Sequence, residues 1–249
     1  MTNSNIYNSI FSNISQKGGS GKVSDFMTLL NKKKGFLVLV FSNLIVQLGI
    51  TYFVMTKYGS NSNSNSNSNK SSKKTNANSN MNPSVPAGLF MIQIMIVLIL
   101  AFIPMPSWLK FLLFSLFSAI WGITLSNLSV DTNLIHMAIF GTMSIFGTMM
   151  ILGSLLLSIG IKLSSKFALF LFLALLALII IQIVVMFTNT YSMYVKTISI
   201  ISLILFSLYI IYDTNNILQR EYSGDFITAS LDYYLDILNI FIDLINLNR

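Results

Sequence analysis

Apolar runs of membrane-spanning length constrain this chain more than any other feature. Seven of them lie roughly at 36–56, 87–104, 107–127, 133–157, 167–188, 194–212 and 228–247. Each is near the ~20 residues a helix needs to cross a hydrocarbon core of about 30 Å. Lipid offers the backbone no hydrogen-bond partners, so runs of this kind predict helices. The expected fold is all-α: a polytopic membrane protein with seven transmembrane helices. Composition agrees, with 54% hydrophobic and 9% charged residues, against about 25% charged in soluble domains. The isolated polar residues Asn43, Gln47, Gln93 and Gln182 are expected to hydrogen-bond between helices.

The net charge of +7 does not indicate nucleic acid. Nine of the fifteen Lys and Arg residues fall within the first 74 positions, in polar segments flanking the first apolar run, as topology-setting charge does. Lys32, Lys33 and Lys34 immediately before that run predict a cytoplasmic N-terminus. Lys110, Lys162, Lys166 and Arg220 then also fall inside, and Lys57, Lys70, Lys73, Lys74 and Lys196 outside. A last segment that dips and returns would put the C-terminus in the cytoplasm as well. Residues 1–34, rich in Ser, Asn and Lys, read as a flexible cytoplasmic leader without a signal peptide. Residues 35–249 read as the membrane domain, interrupted at 57–86 by an Asn/Ser-rich loop. Asn69 in that loop would accept a glycan if the loop faces a eukaryotic lumen.

Several chemistries drop out. There is no cysteine, which removes disulfides, zinc thiolates and thiol catalysis. "GGSGKV" at Gly18–Val23 is no phosphate loop, because Gln16 stands where Gly is needed and Val23 where Ser or Thr is needed. His136 is the sole histidine, expected in a packing or interfacial role. No enzymatic cofactor is expected.

The closing stretch, Tyr212 to Arg249, is different. Asp213, Glu221, Asp225, Asp232, Asp236 and Asp243 are six of the eight acidic residues in the chain. Thr228, Asp232, Asp236, Asn239, Asp243 and Asn246 are spaced 4, 4, 3, 4 and 3, one polar stripe on a helix whose other faces are Leu, Ile, Phe and Tyr. An Asp near mid-membrane costs ~2.5–3.5 kcal/mol to insert, whereas each Leu, Ile or Phe returns only ~0.3–0.6. Three Asp and two Asn outweigh the ten Leu, Ile and Phe between Leu231 and Leu247, so this helix should be enclosed by the others. Intramembrane acids mark function by default. Asp213 ends the sixth run, and a short turn can bring it near Asp232 or Asp236. Two close carboxylates in low dielectric do not readily both ionise, so they share a proton. Their oxygens also suit a hard cation such as Ca²⁺. Glu221 and Asp225, in the turn, read as solvated.

"YDTNNIL" followed by "ASLDYYLDILNIFIDLI" resembles the closing motif of the Bax-inhibitor family, nearest its lifeguard and Golgi anti-apoptotic branch. "NKKKGFLVLVFSNLIVQLGITYF" is similar to the family's basic cluster and first span. "PSWLKFLLFSLFSAIWGITLSNLSVDTNLIHMAIFGTMSIFG" is similar to the third and fourth. The resemblance covers about residues 25–247 apart from the Asn/Ser loop. It implies six helices around a central seventh, and a membrane protein that leaks calcium in a pH-sensitive way and dampens cell death. It also implies that Asp213 and Asp236 pair over a shared proton and gate the path, with Tyr212, Thr214 and Asn239 on motif positions. Three departures stand out: Asn215 replaces the usual Gln, Asp243 is an extra acid, and no arginine ends the second span, where Lys110 is the nearby cation.

The function expected from this reading is a pH-sensitive calcium leak channel that modulates cell death. Its ion path and proton sensor would be Asp213, Asp236, Asp232, Asn239 and Asp243, with Asp213 and Asp236 as the Ca²⁺ contacts. Two other classes compete. One is a non-conducting membrane protein that acts on cell-death partners. The other is an intramembrane aspartyl protease, for which Tyr212-Asp213 fits but the glycines required beside the second Asp are missing. The expected partners are the lipid bilayer, calcium ions and other cell-death membrane proteins, with no nucleic acid. The expected site is an endomembrane (ER or Golgi) in a eukaryotic or viral setting and the plasma membrane in a bacterial one.

Overall fold

A computed structural model describes residues 20–64, 84–128, 130–188, 191–219 and 224–249. Among these residues the chain is all-helical, with seven helices in order: α1 Ser20–Ser64, α2 Ser84–Phe102, α3 Ser107–Ser126, α4 Thr132–Ser158, α5 Ser165–Phe187, α6 Tyr191–Gln219 and α7 Phe226–Asn248. Five of them are long and apolar enough to cross a membrane: α1, α3, α4, α5 and α6. Of α2, Ile92–Phe102 forms a shorter apolar stretch. α7 carries Asp232, Asp236 and Asp243 within its 23 residues, the acids that set it apart from the five. The large apolar side chains of α5, Leu169, Phe170, Phe172, Leu173 and Ile180 among them, are exposed. In water that surface would be unstable; in lipid it costs nothing.

Two expected boundaries shift. α1 is 45 residues long, so residues 20–34, expected as flexible leader, are helical, and so are residues 57–64 of the expected Asn/Ser loop. From Lys22 to Gly35 no Gly or Pro interrupts a run rich in helix-forming Lys, Leu and Met, and a long apolar helix extends readily into such flanks once nucleated. Residues 65–83 of the loop, with Asn69, Lys70, Lys73 and Lys74, lie outside the described residues, as do Arg220 and Glu221.

The chain divides into two compact units. One contains α1 as far as Leu39, Asp131–Gly224 and Leu235–Arg249. In it α4 and α5 both pack against α6, and Leu171, Leu178, Ile198, Leu205 and Tyr212 form the α5–α6 core. Contact between α4 and α6 is close because Gly153 has no side chain: a Cβ there would lie 2.7 Å from the Ile211 carbonyl and 3.0 Å from Thr214 Cβ. Small residues at such crossings let helix backbones approach in membranes. Gly160, at φ 90°, ends α4 in a Schellman turn. The Ile161 N–H bonds the Leu156 carbonyl at 2.8 Å and the Gly160 N–H bonds that of Leu157 at 2.9 Å, a conformation glycine adopts without a Cβ penalty. In the same unit Lys33 is buried. Its Nζ lies 3.4 Å from the Ile217 carbonyl, in the last turns of α6, where a cation is favoured.

The second unit contains Val40–Val130 and Asp225–Tyr234. α2 packs on α3, joined across the Pro104–Pro106 turn, with Gln93 Nε2 donating to Thr124 Oγ1 at 3.2 Å. A buried polar ladder links α1, α3 and the start of α7. Asn43 donates to Ser230 Oγ at 2.5 Å, Gln47 to Ser115 Oγ at 3.2 Å, and Ser118 Oγ to Gln47 Oε1 at 2.9 Å. Thr51 Oγ1 and the Tyr234 hydroxyl are 2.6 Å apart. Asn43, Gln47 and Gln93 thus bond between helices as expected of isolated polar residues in lipid. Gln182 on α5 is half-buried, and His136 is exposed near the start of α4. Phe114 and Phe117 pack on Tyr234 with ring centroids 5.1 and 5.9 Å away.

Candidate functional site

Within the first unit, α6 and α7 bring Asp213 and Asp236 together. Both are buried, at 7% and 3% exposure, and their carboxyl groups are hydrogen-bonded to each other. A bond between two carboxyls needs a proton on one of them, since carboxylates only accept. Tyr209, one turn before Asp213 on α6, lies within electrostatic reach of both acids.

The residues beside Asp213 explain why α6 holds it in place. Tyr212 packs into the α5–α6 core with its ring 6.1 Å from that of Phe167. Thr214 is buried against the Gly153 gap. Asn215, fully buried, ties the α4–α5 turn to α6: its Oδ1 accepts the Leu163 N–H at 2.9 Å, and its Nδ2 donates to the Ile161 carbonyl at 3.0 Å and that of Gly153 at 3.3 Å. Gln219, one turn on, also donates to Asn215 Oδ1. The residue that departs from the family motif is therefore a structural clasp next to the acid pair.

The remaining acids separate. Asp243 is buried at 6% exposure and is hydrogen-bonded by Ser202 and Ser199 of α6. Asn239 is half-buried, its Nδ2 donating back to the Leu235 carbonyl at 2.7 Å on its own helix. Asp232 is half-buried and belongs to the second unit, while Asp213 and Asp236 belong to the first. Among the described residues no group of three or more His, Cys, Asp or Glu side chains is placed to hold a metal ion.

Asp225 is not a solvated turn residue. It sits at the N-cap of α7, where its Oδ1 accepts the Thr228 N–H at 3.0 Å, as N-cap aspartates do. Lys110 Nζ pairs with Asp225 Oδ2 at 2.5 Å and donates to Thr228 Oγ1 at 2.7 Å. Burial raises the Asp225 carboxyl's affinity for its proton. The Lys110 hydrogen bond, the two Thr228 hydrogen bonds and the Lys110 charge together outweigh burial and hold it below the usual carboxylate range. The cation nearest the missing arginine thus serves the cap of α7.

On the α6 side of the site the sequence singled out Asp213 but not Ser199, Ser202 or Tyr209. Ser199, Ser202, Phe206, Tyr209 and Asp213 are spaced 3, 4, 3 and 4, one helical stripe. Apart from Asp213 its polar members are only hydroxyls, so they merge into an otherwise apolar span. The signal lies in the matched intervals: seven residues separate Ser202 from Tyr209, as seven separate Asp236 from Asp243.

Long helices with apolar surfaces and buried acids define a multi-pass helical membrane protein. A family model described as "Inhibitor of apoptosis-promoting Bax1" matches residues 33–248, and the chain belongs to the Bax-inhibitor family. It is similar to Protein LIFEGUARD 2 of Arabidopsis thaliana, 41% identical over 46 residues, or 18% of this chain and 19% of that one. An uncharacterized protein of Helicobacter pylori is 39% identical over 77 residues, 31% of this chain and 33% of its own. One of Campylobacter jejuni is 44% identical over 52 residues, 21% and 22% of the two chains. The matches thus span a third or less of each relative.

Proposed function

We propose that this chain is a pH-sensitive leak path for cations, Ca²⁺ above all, and that its leak modulates cell death. The observation that carries the reading is the buried carboxyl–carboxyl bond between Asp213 and Asp236. One proton holds the pair together, and without it two like charges oppose each other in a medium that screens them poorly. The shared-proton state is the closed one. Loss of the proton separates α6 from α7 and exposes two carboxylates to a cation. In this reading α7 is the central helix, which accounts for a polar stripe that lipid would reject. Ca²⁺ is cargo here: it takes six to eight oxygens when firmly bound, and two carboxyls suffice only for passage. Family membership supports the cell-death role, and the description of the family model names it.

Full-length protein in liposomes tests the reading. Ca²⁺ flux should depend on pH in the wild type, and Asp213→Asn or Asp236→Asn should flatten that dependence, because each leaves a permanent neutral partner. Flux whose pH dependence is untouched by both substitutions would sink the mechanism. Suppression of cell death by variants that no longer conduct would favour a partner-binding protein instead.

A further inference from the structure

Asp243 has no role in the gate just described, yet it is as deeply buried as the pair. It lies seven residues beyond Asp236, about 10 Å along the helix axis. Its carboxyl is approached by Ser202 and Ser199, which are 3% and 1% exposed. Even so, its Oδ2 has no hydrogen-bond partner among the described residues. A buried carboxyl oxygen left without a partner is costly. Thr142 of α4 is also buried with its Oγ1 unpartnered among the described residues. It adjoins Gly141, where an added Cβ would touch Leu244. The α4, α6 and α7 segments at this depth therefore hold more hydrogen-bonding capacity than the protein itself uses.

We propose that Asp243, with Ser199 and Ser202, forms a second cation station, separate from the Asp213–Asp236 pair, that Ca²⁺ occupies in transit. The donor set is all hard oxygen, which suits this ion. It is also too small to complete a calcium shell, so the ion keeps water and leaves readily. Conduction requires such a site, favourable enough to enter and weak enough to release. The spacing along α6 supports the order. Asp213 comes first, then Tyr209, stacked on Phe206 with ring centroids 5.9 Å apart, then Ser202 and Ser199. The two acid sites are thus separated on α6 by an aromatic pair. The proposal rests on the leak reading and adds a second site to it.

Ca²⁺ flux into proteoliposomes of the full-length chain decides it, with melting temperature as the check on folding. Asp243→Asn should lower flux on the order of tenfold, the effect of about 1.4 kcal/mol on a barrier. Asp243→Glu should restore most of the loss. The Ser199→Ala/Ser202→Ala double variant should lower flux less than Asp243→Asn. If Asp243→Asn fails to fold, the double variant decides, since it removes only two hydroxyls. A conducting wild type with flux unchanged in these variants overturns the second station and leaves the gate standing. A wild type that does not conduct overturns the leak reading and the station with it.

Discussion

At the scale of single residues, three positions carry testable consequences. Gly153 marks a close crossing of α4 and α6: a Cβ would lie 2.7 Å from a backbone oxygen, which cannot swing aside as a side chain can. Gly153→Ala should therefore destabilise by about 1–3 kcal/mol, the range for overpacking, read as a lower melting temperature in detergent. Asn215 satisfies one amide and two carbonyls. Asn215→Leu removes these three bonds, at a cost of about 1–3 kcal/mol. Limited proteolysis at the α4–α5 turn should show that turn loosening first. Asp225 supplies a pH dependence of known sign. Its folded-state proton affinity is depressed, so its contribution is fully present above the ordinary carboxylate value of about 3.9 and is lost as pH falls through the lower folded value. Melts taken from neutral pH downward should lose that increment in the wild type. Asp225→Ala, which should cost about 1 kcal/mol at neutral pH through the lost cap, should show a shallower acid slope.

Among the helices, α7 is the one whose character is most legible in the sequence. The interval pattern from Thr228 to Asn246 indicates a helix with one polar line, and insertion costs require that such a helix be enclosed. Buried Asp236 and Asp243 agree with that argument. The pattern could not show how the stripe is divided. Thr228 belongs to the cap with Asp225 and Lys110, Asn239 bonds its own backbone, and Asp236 and Asp243 are bonded to α6 side chains. Spacing gives a face and not a partner, because the partner depends on which residues of another helix stand opposite. The same limit hid the serines of α6, whose hydroxyls cost too little in lipid to stand out against Ile and Leu. α1 extends further than hydropathy suggests because its ends are polar. Polar flanks read as loop unless helix propensity is weighed separately from apolarity.

At the scale of the molecule, apolar run lengths and the closing motif were enough to reach an all-helical membrane protein of the Bax-inhibitor family. The number of spans was harder to read. Among the described residues five of the seven helices are long and apolar enough to cross a membrane, and α7, with its three acids, is not one of them. Function at this scale turns on one claim: Asp213 and Asp236 share a proton whose loss opens the path. Infrared spectroscopy of the full-length chain in liposomes tests it most directly. The band of a protonated carboxyl should disappear as pH rises, over the same range in which Ca²⁺ flux appears, and Asp213→Asn or Asp236→Asn should abolish that coupled change. A band that persists unchanged while flux rises, or one that titrates identically in both variants, would contradict the shared proton and the gate built on it.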